Sequence, residues 1–317
     1  MSSRVLSRTN ATMPAVGLGI WKIPKASCAD VVYEAIKIGY RLIDGACDYG
    51  NEKEAGEGVR RAIKDGIVKR EGIFITTKLW NTFHAHDHAK ALAKKQLEDW
   101  GLDYFNLFLV HFPISLAYVD PSHRYPAEWF GDDHKVHLQN TPLHETWGAM
   151  EELVDEGLAK NIGLCNVQGS LLLDVLRYAR IPPQVLQIEI HPYLTQEPLV
   201  KLAQLHGIAV TAYSSFGPAS YIELSMDRGA ASLFAHDVVT SISKAKSKTP
   251  GQILLAWALA RNLAVIPKST AHSRLVENLE ATDVQLSAEE VKRISDLNLN
   301  LRLNDPVDID PRLGIWA

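Results

Sequence analysis

Cysteine is scarce: Cys28, Cys47 and Cys165 are scattered through 317 residues, too few and too irregularly spaced for a disulfide frame or a metal site. An odd number of them suits free thiols in a reducing compartment. An excess of one charge is missing too. Against 37 acidic side chains stand 33 basic ones, for a net charge of -4 and a pI near 6.3, which leaves no basic field for nucleic acid and no polybasic membrane anchor. No apolar run reaches the roughly 18 residues of a membrane span, and the polar stretch 1–10 lacks the apolar segment of a signal peptide. The expected location is the cytoplasm. The G-x-G-x-x-G turn of a doubly wound dinucleotide fold is also lacking, since Val16-Gly17-Leu18-Gly19-Ile20-Trp21 does not complete it. His134 and His137 have no second pair at ligand spacing, so no metal is expected.

What is present is a regular alternation of short apolar runs and amphipathic stretches. Hydrophobic residues make up 46% of the chain and charged residues 22%, enough for a large core. A small hairpin is expected over 5–14, where it would plug a barrel floor. Strand-like runs follow at 16–21, 42–44, 73–79, 104–111, 159–166, 185–191, 208–215 and 263–268. Between them helical spacing covers 28–39, 52–66, 89–100, 143–157, 171–179, 199–206, 238–245, 250–261 and 274–281, and Ser287 opens a last helix in a capping context. Eight strand-helix units predict an α/β fold, a (β/α)8 TIM barrel forming one domain over 1–317. Two stretches break the pattern, 113–140 and 216–237. The first carries Tyr118, Tyr125, Trp129 and Phe130 and is expected to wall a site.

The apolar runs end on chemistry. Asp44, Lys78, His111, Asn166, Gln187 or Glu189, Ser214 and Lys268 stand at successive strand ends, and Tyr49 follows Asp44 on a turn before Gly50. Taken singly, a strand-end Asp or Lys is ordinarily a solvated loop residue, and a histidine among apolar neighbours is ordinarily a core residue. Catalytic groups of a parallel barrel, however, gather at the C-terminal ends of several strands. A phenol, with a reference pKa of about 10, needs a nearby cation to exchange protons near neutrality.

These residues resemble the aldo-keto reductase family over essentially the entire chain. The resemblance rests on Asp44-Gly45-Ala46 with Tyr49-Gly50-Asn51-Glu52, Thr77-Lys78-Leu79-Trp80, Val110-His111-Phe112-Pro113, Tyr213-Ser214-Ser215-Phe216-Gly217-Pro218 and Ile266-Pro267-Lys268-Ser269. With Leu301-Arg302-Leu303-Asn304-Asp305-Pro306, the chain is most similar to the fungal pentose (xylose or arabinose) reductases, which reduce open-chain aldoses to alditols with NADPH. The resemblance implies a catalytic tetrad of Asp44, Tyr49, Lys78 and His111, with Tyr49 as the acid. It implies a cofactor site of Cys165, Asn166, Gln187, Tyr213, Ser214, Ser215, Phe216, Glu223, Lys268, Ser269, Thr270, Arg274, Glu277 and Asn278. Within that set, Lys268, Ser269 and Arg274 match the 2′-phosphate ligands. It also implies substrate contacts from Trp21, Asp48, Trp80, His111, Phe112, Trp129, Leu224 and Asn304.

Three positions depart from the family pattern. Cys165 stands where a serine usually donates to the nicotinamide amide, Ile190 where a histidine is common, and Thr270 where pentose reductases that accept NADH often have asparagine. NADPH is therefore the expected cofactor, with weaker NADH use. The expected substrate is a small sugar, and the expected assembly a monomer or homodimer. The alternatives are reduction of another small carbonyl (glyceraldehyde, a uronate, a keto-sugar) or a non-catalytic use of the fold in nucleotide sensing or as a structural protein.

Overall fold

A computed structural model describes residues 3–317. Its first element is the expected hairpin. Ser3–Val5 (β1) and Thr12–Pro14 (β2) pair antiparallel, with Arg4 opposite Met13. The Arg4 guanidinium donates to the carbonyls of Leu259, Asn262 and Leu263, which fastens the hairpin beneath the barrel. Leu6 and Met13 then meet Leu42, Phe74, Leu107, Leu109, Val185 and Ala264 in one buried cluster that closes the floor.

Eight parallel strands follow: Leu18–Gly19 (β3), Leu42–Asp44 (β4), Phe74–Leu79 (β5), Leu107–Val110 (β6), Ile162–Cys165 (β7), Val185–Glu189 (β8), Ala209–Tyr213 (β9) and Ala264–Val265 (β10). Each pairs with its neighbour in sequence. Parallel neighbours cannot be joined by a tight turn, so a helix or a longer connection lies between them. Val16 bridges Val265, with Gly17 N–H donating to Val265 O (2.9 Å) and Val265 N–H to Ala15 O (2.8 Å), which brings the last strand back to the first. Gly19 permits this approach, because a Cβ there would stand 2.5 Å from Ile266 O.

Alternation along the strands decides which side chains face inward. Leu42, Asp44, Phe74 and Lys78 face the interior, whereas Ile43, Ile75 and Thr77 face the helices. The helices are Lys25–Ile38 (α1), Glu52–Lys64 (α2), His86–Trp100 (α3), Leu143–Asp155 (α4), Gly169–Tyr178 (α5), Glu197–Leu205 (α6), Asp237–Lys246 (α7), Pro250–Ala260 (α8), His272–Leu279 (α9) and Ala288–Ser295 (α10). Reciprocal capping boxes, Thr249 with Gln252 and Ser287 with Glu290, set the starts of α8 and α10.

The strands are shorter than the apolar runs suggest, for local reasons. Asn166 (φ 55°) and Ser214 (φ 52°) are left-handed, which turns the chain out of the ladder just after Cys165 and Tyr213. At β10, Pro267 has no N–H to continue the pairing. The stretch 113–140 contains no regular strand or helix, only the isolated bridge Leu116–Leu138. Of its four aromatics only Trp129 reaches the rim. Tyr118 stacks on His88 (3.6 Å between centroids) and Tyr125 lies under the Lys95 ammonium (3.9 Å), which ties the loop to α3, and Phe130 is exposed. No helix among the described residues is long and apolar enough to cross a membrane.

Candidate active site

Asp44 ends β4 and Lys78 is the penultimate residue of β5, both facing inward at the C-terminal rim. The Lys78 ammonium donates to Asp44 Oδ1 (2.6 Å), Gly45 O (2.8 Å) and the Tyr49 hydroxyl (3.3 Å). The second Asp44 oxygen accepts from Gln187 Nε2 (2.7 Å) on β8. Lys78 is fully buried and Asp44 nearly so. Burial alone would lower the Lys78 ammonium, but the adjacent Asp44 carboxylate outweighs it and holds the group above the usual lysine range.

Tyr49 comes from the turn after β4, and Gly50 (φ 67°) takes the left-handed conformation that lets α2 start immediately behind it. Asn51 fixes this turn by donating its side-chain amide to Ile20 O and Ile23 O, both at 2.9 Å. Lys78 pulls the phenol downward, yet burial, reinforced by Asp44 and Asp48, pushes it further up. The net direction is opposite to the lowering that a nearby cation alone would give. Tyr49 therefore stays protonated at neutral pH.

His111 follows β6 directly. Its ring lies edge-on to Tyr49 (5.9 Å, 78°) and stacks on Phe112 (4.9 Å). His111 Nδ1 is 3.1 Å from Asp48 Oδ1, but without hydrogen-bonding alignment, so both atoms are buried without a protein partner. Trp80 donates its indole N–H to Glu128 O (3.0 Å) and packs edge-on against Trp129 (5.0 Å) and His111 (5.5 Å). It therefore braces the wall from behind.

A cleft of about 490 Å³ runs from this cluster across the rim. Trp21, Asp48, Tyr49, His111, Phe112, Trp129 and Asn304 line one end. Tyr213, Ser214, Ser215, Phe216, Glu223, Lys268, Ser269, Thr270, Arg274, Glu277 and Asn278 line the rest, with Asn166 and Gln187 between. Neither Lys268 nor Arg274 has a carboxylate within ion-pair distance among the described residues, so two cations at the far end are free to meet an anionic group. Glu277 is occupied in part, accepting from Thr249 Oγ1 at 2.5 Å. A dinucleotide with a phosphate at its adenosine end fits this donor set, since fixed cations suit a dianion.

Two other expected residues, Cys165 and Leu224, lie outside the cleft. Cys165 is buried in the barrel interior with Leu42, Leu109 and Val185 and does not line the cleft. Leu224 is 43% exposed, outside the lining. Glu223 is solvent-exposed and stands 3.7 Å from the Lys22 ammonium, which also donates to Ser220 O (2.6 Å). Lys22 thus straps β3 to the loop after β9, a role with no sequence signal because it joins stretches 198 residues apart. Tyr221, whose hydroxyl accepts from Ser214 Oγ (2.8 Å), Phe234, Met226 and Ile309 also line the cleft without having been singled out.

The C-terminal tail completes the rim. Glu189 is fully buried at the end of β8, takes His191 Nε2 at 2.9 Å, and accepts the backbone N–H groups of Leu303 and Asn304 at 3.0–3.2 Å. The Asn304 amide donates to the Tyr213 hydroxyl (3.2 Å), which donates to Asn166 Oδ1 (2.6 Å). Asn166 Nδ2 in turn donates to His111 O (2.9 Å). One hydrogen-bonded chain thus crosses the cleft floor from tail to histidine.

Residues 14–299 match the model of the Aldo/keto reductase family. The chain is 58% identical over 299 residues to a probable NAD(P)H-dependent D-xylose reductase of Aspergillus fumigatus, covering 94% of this chain and 95% of that one. It is 59% identical over 296 residues to the protein of that description from Emericella nidulans, with 93% of each covered. Among solved structures, the aldose reductase of Schistosoma japonicum superposes with a TM-score of 0.89 at 35% identity, and a Bombyx mori aldo-keto reductase in complex with NADP with 0.88 at 34%. Each superposition covers 100% of this chain and 99% of the other.

Proposed function

This chain belongs to the aldo/keto reductase family, and on that premise we propose that it is an NADPH-dependent aldose reductase converting open-chain aldopentoses, D-xylose and L-arabinose, to pentitols. The observation that carries the reading is the buried chain Gln187–Asp44–Lys78–Tyr49, which ends in a protonated phenol beside His111 at one end of a cleft whose other end holds two unpaired cations. The names of the fungal relatives support the aldose class.

In this reading Lys268, Ser269 and Arg274 would hold the 2′-phosphate, and Tyr213, Asn166 and Gln187 would hold the nicotinamide end. The reduced cofactor, when bound, supplies a hydride equivalent to the carbonyl carbon. Everything else falls to the protein. His111 orients the carbonyl oxygen towards Tyr49, and Tyr49 gives that oxygen its proton, so that the aldehyde becomes a primary alcohol. Lys78, kept charged by Asp44, stabilises the tyrosinate left behind, which returns to the phenol by taking up a proton from solvent. Trp21, Phe112 and Trp129 exclude water. Asp48 and Asn304 offer an acceptor and a donor to sugar hydroxyls, as a small polar substrate requires.

The test is NADPH oxidation over a panel of pentoses, hexoses, uronates, keto-sugars and glyceraldehyde, with identification of the product. Pentitol formation at the highest kcat/KM supports the reading. A higher kcat/KM for a uronate or a keto-sugar would keep the reductase and reassign the substrate. No oxidation with any carbonyl would point to a non-catalytic use of the fold.

A further inference from the structure

Glu52 plays no part in the reaction just described, yet it ties together the two segments that carry Tyr49 and Lys78. It opens α2, three residues after Tyr49, and is 4% exposed in the layer between barrel and helices. Its Oε1 accepts from the Thr77 hydroxyl, from Trp100 Nε1 (2.8 Å) and from Gln96 Nε2 (3.1 Å), and its Oε2 accepts from the same Gln96 nitrogen (3.0 Å). Gln96 also donates to the backbone carbonyl of Lys78 (3.2 Å), while its own carbonyl oxygen has no partner. Every contact made to this carboxylate is a donated one. No cation pairs with it among the described residues.

That geometry joins Tyr49's turn to Lys78's strand. Thr77 precedes Lys78, and its hydroxyl faces the helices while the Lys78 ammonium faces the barrel interior. Fixing Thr77 Oγ1 directly, and Lys78 O through Gln96 of α3, against the first turn of α2 therefore sets where the ammonium stands relative to the phenol, now 3.3 Å. We propose that Glu52 is a positioning residue for the reduction, holding β5 against the start of α2, and that its anionic form is the competent one. The inference rests on the reductase reading above.

The proton matters because the site is matched to the anion. Burial raises the carboxyl to about 7, although the hydrogen bonds from Thr77, Trp100 and Gln96 pull it back down. The other titratable groups facing it are Asp99, which adds to the rise and is paired with Lys95 (2.7 Å), together with Cys47 and Tyr125. Below neutrality the acid form has an O–H to place, and the network takes it only by turning Thr77 from donor to acceptor or by reversing the Gln96 amide, which alters the contacts that fix β5.

The experiment is kcat against pH from 5.5 to 9 at saturating NADPH with one aldehyde, for wild type, Glu52→Gln and Thr77→Val, alongside NADPH affinity by fluorescence. Wild type should lose kcat as pH falls through about 7. Glu52→Gln should show kcat lower by about ten- to a hundredfold at pH 8, the scale of a small misplacement of reacting groups. It should have no limb on the acid side and bind NADPH unchanged. Thr77→Val removes a donor to the anion, so its limb should move to higher pH with a smaller loss at pH 8. This variant decides the matter by itself if Glu52→Gln does not fold. A wild type that oxidises no NADPH with any aldehyde overturns the reductase reading and this inference with it. An active wild type whose acid limb survives in Glu52→Gln, or fails to move in Thr77→Val, overturns this inference alone.

Discussion

Replacing Asp44 by Asn removes one negative charge from a site where everything else stays in place, and its effect follows from the geometry. The Gln187 amide can reverse to meet the new side chain, so shape and hydrogen bonding are largely kept. The Lys78 ammonium, fully buried, then has only neutral acceptors, the carbonyl oxygen of the new side chain, Gly45 O and the Tyr49 hydroxyl, and no counter-charge. Leaving a buried charge without its partner costs about 3–5 kcal/mol. For a chain of this length each kcal/mol lowers the melting temperature by about 2 °C, so a drop of roughly 6–10 °C is expected at pH 7. The pH dependence carries the sharper test. In the wild type the folded Lys78 lies above its unfolded value, so its contribution is fully present below that unfolded value and is lost only as pH rises through the folded one. In the variant, uncompensated burial takes the folded value below the ordinary lysine value of about 10.4. The unfolded state then binds more protons, and stability rises with pH across that window. Melting followed by circular dichroism at pH 7 and 9.5 should show the gap to wild type narrowing at the higher pH. A variant that melts within about 1 °C of wild type at pH 7, or a gap that widens with pH, would refute the reasoning.

Tyr49→Phe should cut turnover by about 10²–10⁴ while NADPH titration by tryptophan fluorescence is unchanged, because only the proton donor is lost; near-normal single-turnover rates would remove Tyr49 from the role of acid. Arg274→Ala should raise KM for NADPH by about ten- to a hundredfold, the worth of a hydrogen bond to a charged group, with little change for NADH; equal losses with the two cofactors would disprove a 2′-phosphate contact. Asn304→Ala should lower kcat/KM on pentoses far more than on benzaldehyde, since a site built to bind hydroxyls suffers most where they are present. A modest common loss is expected as well, because the same amide holds the Tyr213 hydroxyl. Proportionate losses on the two substrates would leave the tail with that support alone.

The barrel was legible in the sequence because its signal is local. Runs such as Leu107 to Val110 are apolar, short and separated by helical spacing, and in a parallel barrel the ionisable residues that close them gather at one rim. That is why Asp44, Lys78 and His111 could be picked out. The lengths were less legible, because the left-handed turns at Asn166 and Ser214 end pairing without altering the apolar pattern. Contacts between distant stretches left no trace. Nothing near Tyr118 announces a stack on His88, and nothing near Lys22 announces Ser220. Cys165 shows the converse. Its position in the motif suggested a cofactor contact, but inward alternation along β7 takes its side chain into the packed interior.

The docking of the tail on Glu189 separates two things that usually change together. The carboxylate grips main-chain N–H groups at 303 and 304, which every residue except proline supplies, and it does so from a fully buried strand end. This part of the tail's hold does not depend on the side chain at 304, while buried Leu303 and the Arg302 contact to Gln196 supply the rest. Substitution at Asn304 can exchange one polar contact for another without releasing the segment. Selectivity among sugars can thus drift by single changes at the rim while the strand ends beneath, where hydride and proton are exchanged, remain as they are.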